Sequence, residues 1–435
     1  MRSMFSRFTH RSMEYCKSTA FAATSTPTRR LSMLGAAIAV SSGIGLSLSA
    51  SSDVLAASKK RSHSSSSPSQ RPSSMGPEDG VDDAYIRHRW RSLKIFSGTA
   101  NEELAQQIAN LMGTKLSGIK IGRYADGEIA IQVLENVRGK DVFLVQPTCP
   151  PGVNDNLMEL ILLISTMRRA SAHSITAVIP YYGYARQDRK LRSRVPISAA
   201  DVARLLESVG VDRVIAVDLH CGQIQGFFGP NTPCDNLDGS VVALPYFASD
   251  DVALDRHKTV VVSPDAGGVY RAKNFREGLS AMGVNAKLAM IIKQREAANQ
   301  VSQMDLVGDV KGCDCIIVDD MIDTAGTLCK AGTELKQRGA KRIYAFATHG
   351  LFNGPAIDRI NKSDFEKVVV LNTVPMAGKG TSDKIEQLSV AQLLAKAMES
   401  VHFRKSISEL FDIQTGQLPH TKPVSGGSGA PKEDK

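Results

Sequence analysis

The sequence of 435 residues is poor in aromatic side chains, which make up 6% of it and include one tryptophan. Surfaces that bind single-stranded nucleic acid stack bases on aromatic rings, and the sequence has no RNA- or DNA-binding motif. The formal net charge of +9 nevertheless favours acidic partners. Small molecules that carry phosphate groups are the simplest such partners, and no nucleic acid is expected.

Regularly spaced cysteines are also lacking. The seven cysteines are scattered, their number is odd, and no two have CxxC spacing. This pattern is typical of reduced thiols in a reducing compartment, where they serve mainly in packing.

Acidic residues are almost absent from the first fifty positions, where six basic residues accompany only Glu14. Frequent serine, threonine and arginine are typical of an organelle transit peptide. The mildly apolar run at 33–50 is at the lower length limit for a membrane span and is diluted by serine and glycine. We expect 1–88 to be a leader and disordered linker, with a mitochondrial destination. A plastid leader, a weak membrane anchor and an untargeted cytoplasmic tail are the alternatives.

Short apolar strands alternate with amphipathic helices from residue 93 onward, in two successive series. Strands rich in valine and isoleucine that are separated by helices indicate parallel sheets covered on both faces. The sequence therefore predicts an α/β fold with two domains, joined near residues 233–244, and a disordered tail at 413–435. The predicted strands are 93–98, 141–146, 174–180 and 213–220, then 259–265, 286–292, 315–320, 342–350 and 368–373.

A loop of small residues follows the predicted strand at 315–320. It opens a helix, whose unpaired backbone N–H groups attract phosphate, and the two carboxylates at the strand end suit the 2- and 3-hydroxyls of a ribose. An ordinary helix cap would explain one Asp and one Thr, but not the whole set. The predicted ribose 5-phosphate site consists of Asp319, Asp320, Asp323, Thr324, Ala325, Gly326 and Thr327. This element resembles the 5-phosphoribosyl diphosphate loop of type I phosphoribosyltransferases.

A second phosphate-binding candidate is the segment 180–198, which has five basic residues within nine positions after three tyrosines. Arginine and lysine neutralise polyphosphates, and arginine binds them through two N–H groups at once. A solvated surface loop is the alternative. Two further strand ends carry candidate magnesium ligands, His220 and Asp265. Magnesium prefers oxygen ligands, so chemistry alone does not favour the histidine, and Asp265 is also compatible with an ordinary turn.

For two more segments, only a family resemblance predicts a function. Residues 122–133 place Tyr124, Asp126 and Glu128 near a turn between strands, and residues 293–301 form a polar segment after a strand. These two segments, the segment 180–198 and the strand ends with His220 and Asp265 follow one another along the chain. In that order they resemble the elements of the class I ribose-phosphate diphosphokinases, and the resemblance covers residues 93–411.

The resemblance implies two tandem type I phosphoribosyltransferase-like domains, each a mainly parallel sheet flanked by helices. Residues 89–236 would form the ATP side and residues 237–412 the ribose 5-phosphate side. It implies Mg²⁺ as the cofactor, held by His220 and Asp265, and diphosphate transfer from ATP. Lys293 and Arg295 would then be catalytic. The implied ATP-binding residues are Tyr124, Asp126, Glu128, Arg186, Gln187 and His220.

The resemblance also implies a homo-hexamer built from dimers, with Tyr124 reaching the adenine of a neighbouring subunit, and phosphate and ADP as allosteric effectors. Two other functions are weighed against this one. One is a catalytically inactive regulatory partner of the same fold. The other is a nucleobase phosphoribosyltransferase, which needs neither the arginine-rich segment nor a second α/β half.

Overall fold

The computed structural model describes residues 90–297 and 300–410, without the side chains of 293–304 and 409. The predicted leader at 1–88 and tail at 413–435 lie outside the described residues. Within the described ranges, no helix has both the length and the apolar character required to span a membrane.

The first half of the described chain forms a sheet of five parallel strands in the order β1-β4-β5-β6-β7 and a separate hairpin of β2 and β3. Helix α1 begins after Asn101, whose side chain accepts the N–H of Leu104, and it buries Leu104 and Ile108. The strands are β1 Leu93–Ser97, β2 Ile119–Arg123, β3 Ile129–Val133, β4 Asp141–Val145, β5 Ser174–Ile179, β6 Arg213–Val217 and β7 Cys234–Leu237. The helices are α1 Glu102–Leu111, α2 Val153–Arg169 and α3 Ser198–Ser208.

The second half forms a seven-stranded sheet in the order β10-β9-β8-β11-β12-β13-β14. Only β10 is antiparallel to its neighbour. The strands are β8 Thr259–Ser263, β9 Ala286–Ala297, β10 Gln300–Val307, β11 Asp314–Ile322, β12 Arg342–Gly350, β13 Lys367–Leu371 and β14 Ile385–Leu388. The helices are α4 Ser240–Ala248, α5 Val269–Ala281, α6 Gly326–Gln337, α7 Ala356–Asn361 and α8 Ala391–Phe403.

The predicted α/β class is confirmed, as are all nine predicted strands, within a few residues at their ends. The predicted joint at 233–244 contains β7 and the start of α4, so it is structured. The domain limits drawn from the sequence stay a prediction.

The segment 293–301 differs from the expectation of a polar loop. Strand β9 continues to Ala297 and pairs with β10, which places Lys293 opposite Met304 and Arg295 opposite Val301. An antiparallel hairpin satisfies its backbone hydrogen bonds whatever its side chains are, so a lack of apolar periodicity does not exclude a strand.

The carboxyl ends of β6 and β12 lie next to each other. One hydrophobic cluster contains residues of both sheets, including Val217 of β6 and Phe346 of β12. Just beyond these residues, the Thr348 hydroxyl donates to the Asp218 carboxylate. Ligands of open α/β sheets bind beyond the carboxyl ends of the strands, and here the two sheets present those ends to each other.

Candidate active site

His220, which follows the end of β6, contacts Asp320 near the end of β11. Its Nδ1 lies 2.6 Å from Asp320 Oδ2, although 100 residues separate the two in sequence. The hydrogen bond to Asp320 raises the pKa of His220 against the opposing effect of burial. The carboxylate accepts the Nδ1–H, so Nε2 is the ring nitrogen left for a ligand. Nε2 can coordinate a metal when the ring is neutral and can donate to an anion when the ring is protonated.

The pKa values of Asp319 and Asp320 are shifted in opposite directions. Burial and the charge of Asp320 raise the pKa of Asp319 to about 8. Burial also acts to raise the pKa of Asp320, but the hydrogen bond with His220 and the charge of Arg271 lower it well below its usual range. Asp319 is therefore the carboxyl of the pair that takes up a proton more readily, and Asp320 the one that more readily stays ionised.

Arg271 of α5 is a buried cation that interacts with this group of carboxylates, and sequence reasoning missed it. Its charge interacts with Asp218, Asp238, Asp319 and Asp320, which keep its pKa high despite burial. Burial and the charge of Asp238 raise the pKa of Asp218 to about 7. The carboxylate of Asp218 also accepts the N–H of Gly239 at 3.0 Å.

Arg186 and Asp323 join the two predicted phosphate-binding segments directly. Arg186 Nη1 donates to Asp323 Oδ2 at 2.6 Å across 137 residues of sequence. The other carboxylate oxygen of Asp323 accepts from Asn353 Nδ2 at 2.8 Å. Although burial acts to raise the pKa of Asp323, these two hydrogen bonds lower it, so Asp323 is ionised at neutral pH.

The loop 323–327 has the shape of a phosphate cradle at the start of α6. Ala325 adopts a left-handed φ of 57° immediately before the helix begins at Gly326. Thr324 and Thr327 are exposed. Arg359 of α7 donates through Nη1 to the Thr324 carbonyl at 2.8 Å, so a guanidinium stands beside the helix N-terminus, which itself attracts anions.

A cleft of about 690 Å³ opens at the carboxyl ends of β6 and β7. Its lining comes from the segment after β6, from β7 and from α5, and includes Asp218, His220, Cys221, Gln223, Asn236, Asp238, Gly267, Tyr270, Arg271 and Asn274. Cys221 Sγ donates to Asp188 Oδ2 at 3.0 Å, which ties the arginine-rich segment to the rim of the cleft.

The predicted magnesium ligands are compatible with a metal that arrives with its substrate. Among the described residues, no three or more His, Cys, Asp or Glu side chains form a metal-binding group. Asp265 Oδ1 accepts the N–H groups of Gly267 and Gly268 at 3.0 and 3.1 Å, and Gly267 lines the same cleft as His220. Because Mg²⁺ often uses only one or two carboxylates together with water and phosphate oxygens, Asp265 fits this ion. His220 would add a nitrogen donor, which Mg²⁺ uses less often than oxygen.

Other predicted site residues lie apart from this group or are only partly described. Tyr124, Asp126 and Glu128 are exposed on the β2–β3 turn. Among the described residues, no hydrogen bond or ion pair links them to the other predicted site residues. Gln187 accepts the Ser198 hydroxyl at 2.6 Å. The side chains of Lys293 and Arg295 lie outside the described part, so their roles stay predictions.

Arg271, Asn353 and Arg359 are the neighbours that sequence reasoning missed. None belongs to a recognisable motif. Arg271 lies one helical turn after the Gly-rich turn 266–268, and that spacing is the only clue the sequence offers.

Comparison with known proteins gives consistent results for both halves. A model of the N-terminal domain of ribose phosphate pyrophosphokinase matches residues 93–210, and one of the phosphoribosyl synthetase-associated domain matches residues 284–412. Ribose-phosphate pyrophosphokinase 1 of Spinacia oleracea is 50% identical over 329 residues, which cover 76% of this chain and 95% of that protein. The ribose-phosphate pyrophosphokinase of Helicobacter pylori is 48% identical over 326 residues, covering 75% and 98%.

A solved structure supports the same assignment. The phosphoribosylpyrophosphate synthetase of Mycobacterium smegmatis superposes with a TM-score of 0.66 at 38% identity, covering 72% of this chain and 99% of that one. With relatives near half identity matched over almost their full length, the chain belongs to the ribose-phosphate pyrophosphokinase family.

Proposed function

We propose that the protein transfers the diphosphate group of Mg-ATP to the anomeric hydroxyl of ribose 5-phosphate, giving 5-phosphoribosyl diphosphate and AMP. The observation that carries this proposal is the contact between Arg186 and Asp323. It brings the arginine-rich segment and the ribose-phosphate loop to one place, as a reaction between two phosphorylated substrates requires.

In the proposed reaction, the anomeric oxygen attacks the β-phosphorus of ATP, the bond between the α–β bridging oxygen and the β-phosphorus breaks, and AMP leaves. The hydroxyl proton is released. Arg186 and Gln187 hold the nucleotide, and loop 323–327 holds the 5-phosphate. Transfer of this type depends mainly on in-line positioning and charge stabilisation.

His220 and Asp265 would hold Mg²⁺, which when bound supplies charge neutralisation at the phosphate oxygens. The carboxyl pair Asp319–Asp320 hydrogen-bonds the ribose hydroxyls. Lys293 and Arg295, near the C-terminal end of β9, stabilise the charge of the transferred diphosphate group.

The decisive measurement is AMP release from Mg-ATP by the purified protein, with and without ribose 5-phosphate. We expect AMP and 5-phosphoribosyl diphosphate in equal amounts, only when both substrates are present. A protein that binds both substrates without forming product would be the inactive regulatory partner. Consumption of 5-phosphoribosyl diphosphate with a free nucleobase, independent of ATP, would instead indicate a nucleobase phosphoribosyltransferase.

We also propose the assembly that the resemblance implies, a homo-hexamer of dimers regulated by phosphate and ADP. The exposure of Tyr124, with 63% of its surface accessible, supports a role in contact with another subunit. Light scattering combined with size-exclusion chromatography tests this, and a monomer at micromolar concentration with full activity would refute it.

For the leader, we propose mitochondrial targeting on the basis of its basic, acid-poor composition. Imaging a fluorescent fusion of residues 1–90 in cells tests this proposal. A plastid pattern or a diffuse cytosolic one would overturn it.

A further inference from the structure

The nucleotide-binding candidate Arg186 is held by residues outside the predicted nucleotide set. Asp323 accepts from Arg186 Nη1 through Oδ2 at 2.6 Å and from Asn353 Nδ2 through Oδ1 at 2.8 Å. The backbone N–H of Asn353 also donates to the carbonyl of Asp323 at 3.0 Å. Asn353 therefore fixes both the backbone and the carboxylate of Asp323, and that carboxylate fixes the guanidinium.

This arrangement leaves Arg186 free to bind a ligand. The hydrogen bond to Asp323 uses one terminal nitrogen of a group that has five N–H donors in a fixed fork, and 53% of the Arg186 side chain is accessible. A phosphate can bind the remaining donors while the contact with Asp323 persists. An arginine already held in one orientation loses less side-chain entropy when it binds.

We propose that Asn353 and Asp323 are positioning residues for the nucleotide, acting through Arg186. This inference rests on the proposed function and deepens it, because it gives Asp323 of the ribose-phosphate loop a role on the ATP side. It also accounts for Asn353, whose two hydrogen bonds to Asp323 hold the residue whose carboxylate contacts Arg186.

The primary test is Asn353→Ala, which removes the side-chain donor and keeps the backbone one. We expect the dissociation constant of Mg-ATP, measured by calorimetry without ribose 5-phosphate, and the KM for ATP to rise together by roughly three- to tenfold. The KM for ribose 5-phosphate should change less than about twofold. Unchanged ATP affinity, or a rise confined to the KM for ribose 5-phosphate, would overturn the proposal.

A double-mutant cycle separates positioning from a general structural effect. In the Arg186→Ala background the further change Asn353→Ala should alter ATP affinity by less than about twofold, since its effect passes through the missing guanidinium. An undiminished effect in that background would contradict the proposal. If Arg186→Ala binds ATP too weakly to be measured, the test is the Asn353→Ala variant alone. A rise in its KM for ATP without a comparable rise in its KM for ribose 5-phosphate supports the positioning role, and any other result contradicts it.

Two further variants complete the design. Asn353→Ser keeps a shorter donor and should recover part of the lost ATP affinity; no recovery, when the alanine variant is folded by circular dichroism, would count against the proposal. Asn285→Ala alters an exposed asparagine before β9 and should behave as wild type.

If the wild type binds Mg-ATP but forms no product, the proposed function fails by itself. If an active wild type and Asn353→Ala bind ATP equally, only the positioning role fails.

Discussion

Arg359 is placed to support the ribose-phosphate loop from outside it. Its guanidinium donates to the Thr324 carbonyl, and a Cβ atom at Gly326 would lie 3.2 Å from its Nη1. The positive charge of Arg359 adds to the partial charge of the N-terminus of α6.

We therefore expect Arg359→Ala to raise the KM for ribose 5-phosphate by roughly ten- to a hundredfold, the size of a hydrogen bond to a charged group, with little change in the KM for ATP. Steady-state kinetics with each substrate varied in turn measures this. The matched control is Arg338→Ala, just after the C-terminal end of α6, where an exposed arginine pairs with Glu334. Equal effects of the two variants would exclude a specific role for Arg359.

Among the secondary-structure elements, the hairpin of β9 and β10 carries the residues expected to act in transfer. Lys293 lies on β9 and is paired with Met304 of β10. If its charge acts only on the transferred diphosphate, Lys293→Ala should lower kcat by about a hundredfold or more while both KM values change little. Lys287→Ala, at the exposed start of the same strand, is the control. Near-normal turnover of the Lys293 variant would remove this hairpin from the mechanism.

The elements show why some strands were predictable and others were not. Strand β8 (TVVVS) and strand β13 (KVVVL) are almost continuously apolar and buried, so composition alone identifies them. Strands β7 (CDNL) and β14 (IEQL) have four residues each, at least half of them polar, at the edges of their sheets. Only pairing with a neighbour makes such segments strands, and pairing is not visible in local sequence.

At the scale of the whole molecule, the candidate site is assembled from contacts distant in sequence. The pair of Arg186 and Asp323 spans 137 residues, and the pair of His220 and Asp320 spans 100. The motifs could be recognised one at a time because strand ends and loops have local patterns. Their partners Asn353, Arg359 and Arg271 could not, since only the pairing of β12 with β11 and the packing of α5 on β11 and of α7 on α6 bring them near.

A buried contact between the two halves of the described chain predicts how stability depends on pH. His349 of β12 is 1% exposed; its Nδ1 lies 2.9 Å from Thr373 Oγ1, and its Nε2 lies 3.2 Å from the carbonyl oxygen of Asp218 on the first half of the chain. A carbonyl only accepts, so Nε2 carries the proton of a neutral ring. Burial lowers the pKa of His349 to about 4.

The direction in which stability changes with pH follows from the pKa values of His349 in the unfolded and folded states. Below the unfolded value of about 6.5, the unfolded chain binds a proton that the folded protein does not take up until about pH 4. The free energy of unfolding should therefore fall by about 3 kcal/mol between pH 6.5 and 4 because of this group alone. The loss should be complete once the pH drops below the folded pKa.

Urea unfolding at pH 7 and pH 4.5 measures this effect. The stability of the wild type should decrease more between the two pH values than that of His349→Gln, which keeps an N–H donor for the Asp218 carbonyl but does not titrate. His257→Gln, at an exposed position, controls for the loss of a histidine and should follow the wild type. If the wild type and His349→Gln lose equal stability, His349 does not couple protonation to the contact between the two sheets.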